Sequence, residues 1–227
     1  MDLGGYSIFV SGFPRSGTSM MMRMLYLGGV PILWSEDDTT QGRSTPFDPN
    51  GVYEFKEVGK ELVEHDAVWT VNHAIKLLSI YVRGWLPLDR PLKIIFMLRG
   101  QTEIITSMLA KRLLIDADVA KNVHQTLSYI EDYGIPLLKI NYREAISYPK
   151  TTAMRVADFL EADLDLDAMK SAVERKEKTK ERRKESGLLS MNVEDYNKNI
   201  ELGVNVDLET MKKLKEGGDL RVSGYTT

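Results

Sequence analysis

Ser11-Gly12-Phe13-Pro14-Arg15-Ser16-Gly17-Thr18-Ser19 is the stretch on which the fold of this chain turns. Ahead of it runs the apolar segment Tyr6-Ser7-Ile8-Phe9-Val10. Behind it, in residues 18–27, Met20, Met21, Met24, Leu25 and Leu27 fall mostly at helical spacing. A short strand, a tight glycine-containing loop and a helix, in that order, open an α/β nucleotide-binding unit. A loop that wraps phosphate needs small residues, so that backbone N–H groups can converge on the oxygens. It also needs a helix N-terminus, whose unpaired N–H groups and positive dipole end favour an anion. Gly12 and Gly17 give the loop its freedom, with Pro14, Arg15 and Ser16 between them, and Thr18 and Ser19 add hydroxyl donors. Arg15 adds a charge-assisted contact of the kind a lysine usually makes.

Working outward, residues 30–34 are a candidate second strand, and 35–50 read as a long loop of Asp, Thr, Ser, Gly and two prolines. Loops of that length inside compact domains are often functional. A helix is expected over 52–65, after the turn signal Asp48-Pro49-Asn50-Gly51. Residues 74–78, 92–98 and 136–140 are continuous apolar runs suited to strands covered on both faces. Helices are expected over 103–114, 119–133, 151–160 and 166–176. Strands alternating with helices predict an α/β fold, a three-layer sandwich with a central, mainly parallel sheet flanked by helices. From 174 to 185 a mixed-charge run carries no apolar stripe and reads as a solvated helix or linker. One α/β domain over 1–185 with a peripheral C-terminal extension over 186–227 is therefore expected.

Composition narrows the function classes. The chain has 227 residues, 43% of them apolar, enough to bury a core without a disulfide or metal staple. Its formal net charge of −3 provides no fold-wide basic field, and no nucleic-acid partner is expected. With no cysteine, disulfides, thiolate metal sites and a cysteine nucleophile are excluded. Met1-Asp2-Leu3-Gly4-Gly5-Tyr6 lacks a secretory start, and no long apolar run predicts a membrane span. A cytoplasmic location is expected. No His, Asp and Glu set has metal-ligand spacing, so no metal is expected either.

Against the Walker A pattern G-x-x-x-x-G-K-S/T the glycine spacing is kept, but Thr18 stands where the lysine would be. Without that lysine, and with no obvious acidic strand end for Mg²⁺, ordinary nucleoside-triphosphate hydrolysis loses two of its main parts, and a P-loop kinase of a small substrate remains only an alternative. The same residues resemble the 5′-phosphosulfate loop of sulfotransferases, which reads Pro, a basic residue, Ser or Ala, Gly, Thr, then Thr or Ser. A second stretch resembles that family too. Arg99 closes the strand ending Met97-Leu98, and Ser107 follows eight positions later, as in the 3′-phosphate grip of sulfotransferases. A strand-end cation and a hydroxyl on the next helix can both face a dianion beyond the sheet's carboxyl edge. More loosely, Asp48-Pro49-Asn50-Gly51-Val52-Tyr53-Glu54 is similar to the Asn-Pro-x-Gly-Tyr-x-Glu stretch of small bacterial sulfotransferase-like proteins. Asn141-Tyr142-Arg143-Glu144 with Tyr148-Pro149 is similar to their late region, so the resemblance runs from about residue 6 to 169.

The resemblance implies a sulfotransferase using 3′-phosphoadenosine 5′-phosphosulfate (PAPS) as co-substrate, without a metal. Gly12, Pro14, Arg15, Ser16, Gly17, Thr18 and Ser19 would hold the 5′-phosphosulfate, and Arg99 with Ser107 the 3′-phosphate. Such chemistry asks the protein to position a hydroxyl or amine, accept its proton and stabilise the leaving phosphate. Arg15 and Lys76 are the candidate cations. Cytosolic sulfotransferases carry Lys-Thr-His on the matching strand with the histidine as base, whereas this chain reads Lys76-Leu77-Leu78. The base must come from elsewhere: Glu54 is the first candidate, with Glu36, Asp37, Asp38 and His73 as rivals. His65 and His124 lie on expected helix surfaces. Trp34, Trp69, Trp85 and Tyr142 are all available for an adenine slot, and Arg182-Arg183-Lys184-Glu185-Ser186-Gly187 is a partial echo of a late 3′-phosphate element. The missing histidine keeps a second alternative open, a nucleotide-binding protein of the same fold without catalysis. The acceptor, a small molecule or a glycan, and the oligomeric state are not specified by these residues.

Overall fold

The structure is a computed structural model in which residues 2–33, 70–86, 90–109 and 118–173 are described. In chain order they form β1 (Ser7–Gly12), α1 (Thr18–Leu27), β2 (Ile32–Leu33), β3 (Ala74–Lys76), α2 (Ser79–Trp85), β4 (Leu92–Leu98), α3 (Gln101–Leu109), α4 (Val119–Asp132), β5 (Leu137–Asn141), α5 (Tyr142–Ser147) and α6 (Pro149–Leu160). A further helical stretch covers 166–173. The chain divides into two compact units, Met1–Arg99 with Asp118–Thr179, and Gly100–Ala117 with Lys180–Thr227. The helix expected over 52–65 and the boundary expected near 185 lie outside the described residues.

In the first unit the five strands form one sheet in the order β2-β3-β1-β4-β5. Every pairing is parallel: Ile8 lies opposite Ala74 on one side and Lys93 on the other, and Val10 opposite Lys76 and Ile95. The central strand β1 is buried along its whole length, and so is β4 up to Met97. Side chains alternate between two apolar layers. Ile8, Val10, Ala74, Ile95, Met97 and Ile140 face one layer, built from α1, α5, α6 and 166–173. Phe9, Ile75, Ile94 and Phe96 face the other, with Val82 of α2 and Ile130 of α4. This is the expected three-layer α/β sandwich, with a sheet that is parallel throughout the described strands.

The connections diverge at the centre of this sheet. From β1 the chain leaves through α1 toward β2 on one side, while from β4 it reaches β5 on the other. The carboxyl ends of β1 and β4 thus flank the switch point, the crevice where open parallel sheets take their ligands.

Local chemistry explains most element ends. Asp118 caps α4 by accepting from the backbone N–H of Lys121 at 3.0 Å, and Asn141 caps α5 through the N–H groups of Arg143 and Glu144. Pro149 opens α6 at a position where its missing N–H costs no hydrogen bond. At the far end of α6, Lys93 reaches from β4 to the carbonyl of Phe159 at 2.9 Å and to the Glu161 carboxylate at 2.7 Å. Its ammonium also lies 4.7 Å from the centre of the Tyr6 ring. A lysine on a buried strand is tolerated there because a helix C-terminus, a carboxylate and an aromatic face all accept positive charge.

Two helices carry no clear signal in the sequence. α2, Ser79-Ile80-Tyr81-Val82-Arg83-Gly84-Trp85, is short, β-branched and contains a glycine, so its intrinsic helix preference is low. Burial of Val82 in the second apolar layer holds it instead. α5 is too short to show a period.

The second unit is described over 100–109 only. There α3 begins with the Ile104 N–H donating to the Gly100 carbonyl at 3.0 Å, and the Thr106 hydroxyl donates back to the Thr102 carbonyl at 2.8 Å. Among the described residues no helix is long and apolar enough to cross a membrane.

Candidate functional site

The loop between β1 and α1 is built by three residues with left-handed backbones: Gly12 at φ +144°, Arg15 at +72° and Gly17 at +110°. A tight turn within it is closed by the Ser16 N–H donating to the Phe13 carbonyl at 2.9 Å. Both glycines are required by space as well as by angle. A Cβ on Gly12 would sit 2.6 Å from the Met97 carbonyl oxygen of β4, and one on Gly17 would sit 2.6 Å from the Tyr142 ring. Arg15 adopts its left-handed conformation without glycine's freedom, at a cost of about 1–2 kcal/mol. Strain of that kind persists where surrounding contacts over-determine the backbone.

The contact that fixes Arg15 comes from the other side of the switch point. Arg99, immediately after β4, donates from Nη1 to the Arg15 carbonyl oxygen at 2.8 Å. Its guanidinium carbon lies 4.2 Å from the centre of the Tyr142 ring, a cation–π stack. Tyr142 is 3% exposed and sits at the end of β5, touching both the Gly17 position and Arg99. It therefore forms the floor of the cradle. Tyr142, one of the aromatic residues available for an adenine slot, carries the Arg99 guanidinium over its ring.

Gly17 is the N-cap of α1. No side chain caps that end, and the first turn holds no acidic residue. The positive end of the helix dipole thus opens beside the loop without a carboxylate of its own. Ser16 is 1% exposed, and its hydroxyl has no hydrogen-bond partner among the described residues. On the opposite flank Lys76, 6% exposed at the end of β3, donates to the Ser19 hydroxyl at 3.2 Å. The parity of β3 makes this possible, because Lys76 falls on the α1 side of the sheet along with Ala74.

Gly12, Pro14, Arg15, Ser16, Gly17, Thr18, Ser19, Lys76 and Arg99 are therefore gathered at the carboxyl edge of the sheet, on the loops and ends of β1, β3 and β4. Ser107 belongs to the second unit, half-buried on α3. Glu54 lies outside the described residues, as do Trp34, Glu36, Asp37, Asp38, His65, Trp69 and the run 182–187. His124 is exposed on α4. His73 is displaced from the site: it precedes β3, and so stands at the amino edge of the parallel sheet. There it lines an open cavity of about 520 Å³ with Tyr26, Pro31 and Ile32, and its Nδ1 donates to the Val71 carbonyl at 2.8 Å. A base at that edge would be separated from the loop by the length of the strand. Among the described residues no group of three His, Asp or Glu is placed to hold a metal ion.

The donor set fits a phosphate or phosphosulfate. It offers a side-chain-free loop, a helix N-terminus, a buried unpartnered hydroxyl and three cationic side chains, without a carboxylate in the loop or the first helical turn. One buried cation of α1 was not singled out from the sequence. Arg23 is 5% exposed on α1, four positions beyond Ser19, inside a run of methionines whose apolar period hides it.

Neither a protein-family model nor a curated protein matches this sequence. Among solved structures the chain is similar to the mouse sulfotransferase SULT7A1 complexed with PAP, at 13% sequence identity and a TM-score of 0.44. The match covers 77% of this chain and 65% of that one, so this chain spans less than two thirds of that protein's length.

Proposed function

We propose that the protein is a sulfotransferase that moves a sulfuryl group from PAPS to a hydroxyl or amine of a small molecule or glycan. The observation that carries the proposal is the Arg99–Arg15 junction. A strand-end arginine, stacked on Tyr142 and bonded to the loop backbone, stands beside a phosphate cradle that lacks the Walker lysine. At the lysine position Thr18 is 3% exposed and uncharged, which disfavours an Mg-nucleotide kinase.

When bound, PAPS supplies the sulfuryl group together with a phosphate leaving group. The loop backbone, with Thr18 and Ser19, would hold the 5′-phosphate, and Arg99 the 3′-phosphate. Arg15 and Lys76 would neutralise negative charge as it grows on the leaving phosphate, a task that needs cations fixed in advance. Glu54 would accept the acceptor's proton. The proposed protein is a cytoplasmic enzyme of one α/β domain with a C-terminal extension, and needs neither a metal nor a nucleic-acid partner.

A second reading has one observation in its favour. Leu77 and Leu78, which follow Lys76 where a histidine base would be sought, are buried and carry no titratable group. A nucleotide-binding protein of this fold without turnover would have the same junction. Radiolabelled sulfuryl transfer from PAPS to a panel of phenols, amines and sugars separates the two. Turnover in the unmodified protein, abolished in Glu54→Gln while nucleotide binding persists, supports the enzyme and its base. Nucleotide binding with no transfer to any acceptor supports the binding protein.

A further inference from the structure

Arg23 is a charged group that the proposed nucleotide contacts do not use. It is 5% exposed, and its Nε and Nη1 are buried with no hydrogen-bond partner among the described residues. Helix α1 contains no acidic residue that could pair with it. A buried guanidinium left unpaired is strongly unfavourable, and such groups normally find a carboxylate, a carbonyl or a bound anion.

Its place on the helix indicates where that anion would lie. Residues i and i+4 share a helix face, and a long side chain covers the turn N-terminal to its own Cα. Arg23 therefore belongs to the face that carries Ser19, roughly 6 Å back along the axis, a rise that an arginine side chain spans. Ser19 is the residue whose hydroxyl accepts from Lys76 at 3.2 Å. Lys76 belongs to β3 and Arg99 follows β4, the two strands that pair with opposite edges of β1.

We infer that Arg23 is the receptor for an oxyanion carried by the acceptor. The proposed enzyme would thus prefer acceptors bearing a carboxylate, sulfate ester or phosphate, bound on the α1–β3 flank beside Ser19 and Lys76. This inference rests on the sulfotransferase reading for the word acceptor, but the anion site itself does not. An unpaired buried charge that awaits a ligand lowers the stability of the empty protein and disappears as a penalty when the ligand binds.

The test uses thermal unfolding of the full chain with sulfate and with glucuronate as probes, in the presence and absence of saturating 3′-phosphoadenosine 5′-phosphate. In anion-free buffer Arg23→Met is expected to raise the melting temperature, by a few degrees at about 2–4 °C per kcal/mol in a chain of this size. Sulfate or glucuronate should raise the melting temperature of the unmodified, nucleotide-saturated protein more than that of Arg23→Met or Arg23→Gln. Nucleotide affinity should be the same in all three. A lower melting temperature in both variants would mean that Arg23 is already paired in the fold, and overturns the inference. So do equal anion-induced shifts in all three proteins, which would reflect the general salting effect of sulfate. A tenfold loss of nucleotide affinity in Arg23→Gln would assign the arginine to the nucleotide and also overturn it. If the unmodified protein binds no nucleotide, the sulfotransferase reading falls, while the nucleotide-free arm still reports on Arg23.

Discussion

Arg99 holds Arg15 by its backbone rather than by its side chain: Nη1 donates to the Arg15 carbonyl oxygen at 2.8 Å, across the point where the sheet connections diverge. The arginine side chain at position 15 is thereby left to its own contacts while the loop that carries it is pinned. Tyr142 completes the arrangement from beneath, with its ring 4.2 Å from the Arg99 guanidinium. Tyr142→Leu removes the aromatic face, and a cation–π stack in a partly desolvated place is worth about 1–2 kcal/mol. Affinity for 3′-phosphoadenosine 5′-phosphate, measured by calorimetry, should fall roughly five- to thirty-fold in that variant. An unchanged affinity would show that the ring does not orient Arg99.

The two loop glycines should respond differently to alanine. At Gly12 the new Cβ meets the Met97 carbonyl at 2.6 Å, a backbone atom of the neighbouring strand held by the sheet pairing. At Gly17 it meets a tyrosine ring at the same distance, and a ring can shift. Both positions also carry a positive φ. Gly17→Ala is expected to cost about 1–3 kcal/mol and Gly12→Ala more than about 4, measured by urea unfolding. Equal costs would contradict the assigned contacts.

Lys76 should matter to turnover more than to binding. Its ammonium touches Ser19 at the mouth of the cradle, where charge on a leaving phosphate would grow. Lys76→Met is expected to lower kcat by a factor of about 100–1,000 with the nucleotide Kd little changed. A loss confined to Kd would instead make Lys76 a ground-state binding residue.

Acid should weaken one tie in the first unit. The hydrogen bond from Lys93, assisted by its charge, holds the Glu161 carboxyl below its ordinary value of 4.5. The folded state therefore releases this proton more readily than the unfolded state. The contribution is complete above pH 4.5 and fades as pH falls through the lowered folded value. The carboxylate faces water, so the effect is small. Melting temperatures of the unmodified protein and Glu161→Gln should differ by a constant amount above pH 4.5 and converge below it. A gap that widens in acid would reverse the sign of the linkage.

Helix α1 and strand β4 were legible to the residue, at Thr18–Leu27 and Leu92–Leu98, because each carries one strong signal. The first follows a glycine-bounded loop, and the second is an unbroken apolar run that only a sheet covered on both faces can bury. The parallel three-layer architecture followed from their alternation. α2 was not legible, because Val82 is helical only through its tertiary burial. In the candidate site, the loop and Arg99 stood out as local patterns. What joins them did not: the carbonyl of Arg15, the ring of Tyr142 and the carbonyl of Met97 are contacts between distant segments. Arg23 was hidden for a different reason, since a single charge inside Met20-Met21-Met22-Arg23-Met24 reads as the polar edge of an amphipathic helix. α5 could have been found from Asn141 followed by Glu144, a cap-like spacing that needs no period.

The most direct test of the central claim is calorimetric titration with 3′-phosphoadenosine 5′-phosphate, and separately with ATP and magnesium, on the unmodified protein and on Arg99→Ala. The account predicts metal-independent binding of the 3′-phosphorylated nucleotide in preference to ATP, weakened at least about tenfold, or 1.4 kcal/mol, by the substitution. Preference for ATP with magnesium, or indifference to Arg99, would contradict it.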